Sequence, residues 1–383
     1  MRIVVDGQPL LVTLAGVGHY TRQLVRAVAR LDPRHRYTLL MPRPMRIWSR
    51  RRMRTPTFAE PNVDVALAGW TASLRARMAR RLGRPISLGR VVDHPPGDVF
   101  HAPNNVFPYR LRARRHVLTV HDVTLCLFPE WHPPRRLAEM APLVRPSIMG
   151  ADHVITPSEA TRTDVLKLLP IDPERVSVIP HGVDPAFAPR SVAEIEAGVA
   201  PFGLRRGEYL LSLATVEPRK NVLRTLEALE RTPPEVGPLA VAGGPGWNDV
   251  DIVAALARLE AAGRVRRLGY VPDEARPALI GGARAFVYPS LYEGFGLPPL
   301  DALACGTPVL TSNVSSLPEV VGDAAILVDP RDVRAIADGL VRLWHDDGLR
   351  GELRARGLAR AREFSWERTA RLTLAVYERV LDS

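Results

Sequence analysis

The sequence predicts an α/β protein made of two doubly wound parallel sheets that face each other across a cleft. Three observations carry this. The chain has 383 residues, more than one domain at about 150 residues per domain. Short apolar strand-like runs alternate with helix-length segments throughout, which is the signature of parallel βαβ units. The alternation runs twice, on either side of a strand-free stretch that is rich in proline.

In order, RIVVDG is a buried first strand, and Tyr20, Leu24, Val28 and Leu31 then recur at helical spacing. YTLLMP, DVFHAP, HVLTVHDV and DHVITPS follow as strands. HGVDPAFAPRSVAEIEAGVAPFGL holds three prolines and no strand-like run, so it is expected to be a linker with a short helix. The boundary falls near Pro189, giving domains 1–188 and 189–364. The second half repeats the scheme with EYLLSLATV, PLAVAGG, RVRRLGYV, ARAFVYPS, TPVLTS and AAILVDP. Residues 365–383 form a terminal helix: Ser365 is placed as its N-cap, and Trp366, Ala370, Leu374 and Tyr377 share one face.

Apolar residues make up 46% and charged residues 24%, an ordinary globular composition. No run approaches the roughly 20 apolar residues of a membrane span. Asp6 and Gly7 interrupt the N-terminal apolar run where a secretory signal would continue. Cys126 and Cys305 are too few for a disulfide framework and are not spaced for a metal site. A reducing cytoplasm is the expected compartment. The net charge of +11 is unevenly spread: up to residue 180 there are 28 Arg and Lys against 14 Asp and Glu, and afterwards 24 against 27. Only Lys167 and Lys220 are lysines, beside 50 arginines. This bias weakens arguments from the number of arginines, though not from their placement.

In doubly wound sheets, ligands bind beyond the carboxyl ends of the strands, so the loops there carry the candidate chemistry. LAGVGHYTRQL puts Gly16 and Gly18 between a strand and a helix, where backbone N–H groups can approach an anion; a ligand-free tight turn fits as well. His121-Asp122 ends the HVLTV strand, and His101 ends another, with less claim to function. Twelve arginines lie from Arg43 to Arg90, against Glu60 and Asp64. Within that segment Trp70, Leu74, Met78 and Leu82 form a helical stripe flanked by Arg75, Arg77, Arg80, Arg81 and Arg84, suited to an anionic membrane surface. The stripe could also pack on a core. No nucleic-acid signature accompanies the charge.

In ATVEPRKN, Arg219 and Lys220 stand at a strand end before a helix, where a diphosphate would satisfy them. Cations at a helix start otherwise oppose the dipole. The segment YPSLYEGFGLPPLDALACGTPV is the most informative. Glu293 opens a Gly-Phe-Gly loop, Pro298 and Pro299 occupy a helix's first turn, and Asp301 lies eight residues beyond Glu293. An anion cradle with two carboxylates suits a ligand rich in phosphate and hydroxyls, such as a nucleotide sugar. Asp249-Val250-Asp251 matches a metal-binding DxD pattern, but it sits at a predicted helix start where an N-cap acid is the ordinary reading, so no metal site is expected.

EGFGLPPLDALACGTPV resembles the signature of the retaining glycosyltransferases of family 4. GVGHYTRQL, VTVHD, VIPHGVD, VEPRKN, LGYVPDE, SNVSSLPEV and the FSWE helix occur in that family's order. VEPRKN with EGFGLPP looks most like bacterial mannosyltransferases that build surface polysaccharides from GDP-mannose. The resemblance implies the GT-B fold of two Rossmann-like domains, with the terminal helix crossing back toward the first. It implies that Glu293 binds donor-sugar hydroxyls and that the amides of Phe295, Gly296 and Leu297 hold sugar and phosphate. Arg219 and Lys220 would take the diphosphate, helped by the Gly16 amide, and His121 would lie beside the reacting sugar. Asp301 stands where the family has Glu for ribose contact, and Thr215 where many members have Arg. The implied chemistry is metal-independent, with no cofactor beyond the nucleotide-sugar substrate. The acceptor would be a glycan or polyprenol-linked molecule at the inner face of the membrane. Alternatives are a UDP- or dTDP-sugar donor, a GT-B epimerase or phosphorylase, and a non-enzymatic sugar-nucleotide-binding regulator.

Overall fold

A computed structural model describes residues 1–11, 16–41, 56–67, 97–107, 111–244, 246–247 and 250–383. The chain forms two compact units, Met1–Gly182 with Ser365–Ser383, and Val183–Phe364.

The first unit holds a seven-stranded, all-parallel sheet: β1 (Arg2–Asp6), β2 (Arg36–Met41), β3 (Val63–Leu67), β4 (Gly97–Ala102), β5 (Ala113–Thr119), β6 (His153–Thr156) and β7 (Val176–Val178). The order is β3-β2-β1-β4-β5-β6-β7. The second unit holds a six-stranded parallel sheet: β8 (Leu210–Leu213), β9 (Leu239–Ala242), β10 (Val265–Gly269), β11 (Ala285–Tyr288), β12 (Val309–Ser312) and β13 (Ala325–Val328), in the order β10-β9-β8-β11-β12-β13. Both are doubly wound, and each has its switch point where chain order reverses, between β1 and β4 and between β8 and β11. The expected strands all form. β3 and β7 form in addition to them. Both are edge strands, and β7 has only three residues, so neither shows the long apolar run of a strand buried on both faces.

Each sheet is covered on both faces. In the first unit one core is built on Phe100, Leu118, Leu143 and Ile148; the other joins Tyr20, Leu24 and Val28 of the helix Gly16–Leu31 to Trp366, Ala370, Leu374 and Tyr377 of the terminal helix Trp366–Asp382. The Ser365 Oγ accepts from the Arg368 N–H at 3.1 Å, so it is the N-cap. The terminal helix therefore belongs to the first unit, and Tyr377 is locked by a 2.6 Å bond to His101 Nδ1.

The expected boundary near Pro189 lies inside the second unit. The Val183 N–H donates to the Phe364 carbonyl, and Val183 and Phe187 pack on the second unit's core. The stretch expected to be a linker is also part of that core. Its helix Val192–Val199 starts with a capping box between Ser191 and Glu194, and Ile195 and Val199 are buried.

Arginine placement has a structural use. Arg115 donates to the Val380 carbonyl, Arg264 to Leu229, Arg350 to Leu343 and Trp344, Arg354 to Gly306, and Arg360 to Val320 and Glu319. Apart from Gly306, which follows the helix Leu297–Ala304, these carbonyls lie toward the C-terminal ends of helices, where orphan acceptors and the negative end of the dipole favour a cation.

Candidate active site

The loops after β8 and β11 meet at the second unit's switch point. They are joined by the Leu291 N–H donating to the Arg219 carbonyl at 2.9 Å. Asn221 holds them further: its Nδ2 donates to the Pro289 carbonyl at 2.9 Å and to the Pro330 carbonyl at 2.6 Å. Asn221 has a φ of 57°, a left-handed conformation that asparagine tolerates better than most residues. It precedes the helix Val222–Glu230, so Arg219 and Lys220 lie in a single 3-10 turn just ahead of that helix, Pro218–Lys220.

Two cations and two carboxylates are gathered there. Lys220 Nζ lies 2.6 Å from Glu293 Oε1, and Arg219 Nη1 lies 2.9 Å from Glu293 Oε2. Arg219 Nη2 pairs with Glu217 Oε1 at 2.8 Å. Glu293 Oε1 also accepts from Ser290 Oγ at 2.7 Å and Tyr288 OH at 3.0 Å, and Lys220 Nζ donates to Tyr288 OH at 2.5 Å. Glu217 and Glu293 are both buried, at 5% and 8% exposure. Burial alone would raise the Glu293 pKa, but Arg219 and Lys220 outweigh it and bring it down to about 2. Burial, aided by Arg219, holds Lys220 below the ordinary lysine range, against the pull of Glu293 and Glu217. The group is thus a closed, neutral box of four charges, each with a partner. VEPRKN contained the signal for Glu217, an acid two residues from the first cation; Tyr288, Ser290 and the serines below had none.

The Gly-Phe-Gly loop leads into the helix Leu297–Ala304, with Pro298 and Pro299 in its first turn. Gly296 has a φ of 113°, which needs glycine. The prolines have no N–H, so the amides of Phe295, Gly296 and Leu297 are the donors at this helix entrance. The loop is tied down from the β12 side. Ser315 Oγ accepts from the Glu293 N–H at 2.9 Å, and the single Ser316 hydroxyl proton is shared between the carbonyls of Phe295 at 2.7 Å and Glu293 at 2.9 Å. Beside the β8 loop, a Cβ on Gly243 would lie 1.8 Å from the Ala214 carbonyl oxygen, and one on Gly246 would lie 2.0 Å from that of Val216. Both glycines therefore allow a close backbone approach.

In the first unit, Gly16 opens the helix Gly16–Leu31 and is exposed, while Gly18 is buried within it. A Cβ at Gly16 meets nothing among the described residues. His121 follows β5. Its backbone N–H donates to Asn105 Oδ1 at 2.6 Å, its Nε2 lies 3.0 Å from the Pro103 carbonyl, and its Nδ1 lies 3.3 Å from His181 Nε2. Both ring nitrogens are thus engaged within the unit. His101 is fully buried between Tyr377 and Thr119, and burial lowers its pKa to about 3. It is a neutral structural residue.

The models for Glycosyltransferase Family 4 and for Glycosyl transferases group 1 match residues 14–187 and 203–363. Over 283 residues the chain is 40% identical to O-antigen chain mannosyltransferase B of Escherichia coli, which covers 73% of this chain and 74% of that protein. This chain belongs to glycosyltransferase family 4. It is also 33% identical over 240 residues to the serotype-specific mannosyltransferase WbdA of Escherichia coli, a match covering 61% of this chain and 29% of that longer protein. Among solved structures it resembles Anabaena Alr3699/HepE in complex with UDP and glucose, with a TM-score of 0.70 at 18% identity over 99% of both chains.

Within this glycosyltransferase the expected residues divide. Arg219, Lys220 and Glu293 are brought together, with the amides of Phe295, Gly296 and Leu297 on the loop that Glu293 opens. Thr215 is exposed in the β8 loop. Asp301 lies in the helix Leu297–Ala304, and its charged neighbours are Asp184 and Arg276 rather than the Lys220 group. Burial, and then Asp184, raise its pKa well above the ordinary carboxylate range. Trp70, Arg75, Arg77, Arg80 and Arg81 lie outside the described residues, as does Asp249. Among the described residues no helix is long and apolar enough to cross a membrane.

Proposed function

We propose that this glycosyltransferase moves mannose from GDP-mannose, with retention of configuration and without a metal ion, onto a glycan or polyprenol-linked acceptor of cell-surface polysaccharide. The observation that carries the reading is the Arg219–Lys220–Glu293 box at the switch point, in a chain 40% identical to an O-antigen mannosyltransferase. Arg219 and Lys220 would exchange part of their contact with Glu293 for the donor diphosphate, and Glu293 would turn to the sugar hydroxyls. Negative charge grows on the leaving phosphate as the glycosidic bond breaks, so a preorganised ammonium and guanidinium stabilise the transition state more than the bound donor. Two fixed cations supply the charge neutralisation that a divalent ion gives elsewhere. The amides of Phe295, Gly296 and Leu297 would hold the sugar and phosphate, and Asp301 the ribose.

The exposed Gly16, where a Cβ would meet nothing among the described residues, would leave room for a second anion contact at a helix N-terminus. The basic segment from Arg43 to Arg90 would hold the enzyme peripherally at the cytoplasmic face of an anionic membrane, beside its lipid-linked acceptor. The test is a thermal-shift screen of nucleotide sugars followed by product analysis. GDP-mannose should raise the melting temperature most, by mass action, and yield an α-mannoside with EDTA present. A larger shift with a UDP-sugar, a β-linked product, or activity lost to EDTA and restored by manganese would each remove the corresponding part of the reading.

A further inference from the structure

The imidazole of His121 is fixed at both nitrogens. Its Nε2 lies 3.0 Å from the Pro103 carbonyl, and a carbonyl only accepts, so Nε2 carries a proton. In the neutral ring Nδ1 then holds the lone pair, and its partner, His181 Nε2 at 3.3 Å, must donate. The two rings lie 5.3 Å apart between centroids, and Tyr20 packs against both, at 4.8 Å and 4.6 Å. His181 is 3% exposed and stacks on Trp366, with centroids 6.1 Å apart and planes 14° apart. It therefore cannot turn away without disturbing the start of the terminal helix.

We propose that His181 is a positioning residue for glycosyl transfer: its Nε2–H holds the His121 ring in one orientation, in the neutral form protonated on Nε2. This rests on the reading of the chain as a glycosyltransferase in which His121 serves the sugar. Glycosyl transfer passes through an oxocarbenium-like state with positive charge on the sugar, and a neutral imidazole nearby does not oppose that charge where an imidazolium would. A second proton on His121 would set two N–H groups against each other across 3.3 Å unless His181 changed its own tautomer. The titratable groups around the pair are His19 and Tyr20 on the first helix, His101 on β4, and Asp122 next in the chain. Burial lowers the pKa of both imidazoles; on His121 the Pro103 carbonyl and Asp122 pull the other way without reversing it.

The test compares His181→Leu, which has no donor, with His181→Gln, whose amide N–H can take the place of Nε2–H. In the wild type, long-range 15N–1H spectra of the ring nitrogens should show His121 neutral, protonated on Nε2, with no titration near 6.5. In His181→Leu the His121 titration should move up from its wild-type position, because the donor that opposed a second proton is gone while burial remains, and the ratio of kcat at pH 5.5 to kcat at pH 8 should fall below the wild-type ratio. His181→Gln should restore both readouts. A wild-type His121 protonated on Nδ1 or titrating near 6.5 overturns the proposal. So does a His181→Leu profile lowered equally at every pH. If the Leu variant does not fold, the wild-type and Gln spectra decide, since Gln must keep the Nε2 proton. The spectra need no turnover, so failure of the glycosyltransferase reading would be seen separately, as absence of activity with the tautomer intact.

Discussion

Replacing Glu293 with Gln keeps the shape of the side chain and removes its charge. One amide oxygen could still accept from Lys220, Ser290 and Tyr288, but the amide NH2 would then face Arg219 Nη1, donor against donor. Two routes give the cost. The Glu293 pKa falls from 4.5 to about 2 on folding, equivalent to about 3 kcal/mol of preference for the ionised form. Removing one partner from a buried ion pair costs about 3 to 5 kcal/mol. The two agree, so Glu293→Gln should destabilise the second unit by about 3 kcal/mol at pH 7. The sign of the pH dependence follows from a depressed pKa. The carboxylate's contribution is complete above the unfolded value of 4.5 and is lost as pH falls toward 2, so wild type and variant should converge in that window. Two units can unfold separately, so the readout is hydrogen exchange of the β8 and β11 amides in a urea series, at pH 7 and again at pH 3. A difference below about 1 kcal/mol at pH 7, no larger than an exposed pair gives, or one undiminished at pH 3, would refute the charge-box account.

Lys220→Ala should lower kcat for glycosyl transfer far more than it weakens binding of the nucleotide-sugar donor, because the leaving phosphate gains charge in the transition state; steady-state kinetics with an unchanged kcat and a raised KM would count against it. Asp301 has a raised pKa, so its ionisation opposes folding increasingly as pH rises above 3.8. Asp301→Asn should therefore melt higher than wild type at pH 8 and equally at low pH, while binding GDP more weakly by about 1 to 3 kcal/mol if the acid meets the ribose; calorimetry and thermal melts read the two effects apart. Gly243→Ala would force a Cβ to within 1.8 Å of the Ala214 carbonyl and should disorder the β8 loop, seen as lost activity with the Arg219 and Lys220 amides exchanging faster. Arg264→Lys keeps the charge but not the fork that reaches Leu229, Thr232 and Pro233, and should cost about 1 kcal/mol in denaturant midpoint analysis.

The sequence by itself determined the alternation of strands and helices, the two sheets, the packing face of the terminal helix and the loops that carry the site. Each depends on local periodicity and turn chemistry: apolar runs bounded by Gly and Pro, an N-cap at Ser365, prolines in the first turn after Gly296. The pairing of Arg219 and Lys220 with Glu293 was only half legible. The residue types pointed to a diphosphate and a sugar, but nothing local shows that chain neighbours 73 and 74 positions away close into a neutral box with Glu217. Tyr288 and Ser290 lie five and three positions from Glu293, but tertiary structure alone decided that Ser315 and Ser316 hold it, since sheet order brings the β11 and β12 loops together and chain order does not. It also decided that Asp301 sits among Asp184 and Arg276, and that His101 is a buried strut and not a ligand. Chain order gives no sign of the bond from His121 to His181, 60 residues apart, because a hydrogen bond depends on spatial neighbours and those are set when the strands take their places in the sheet.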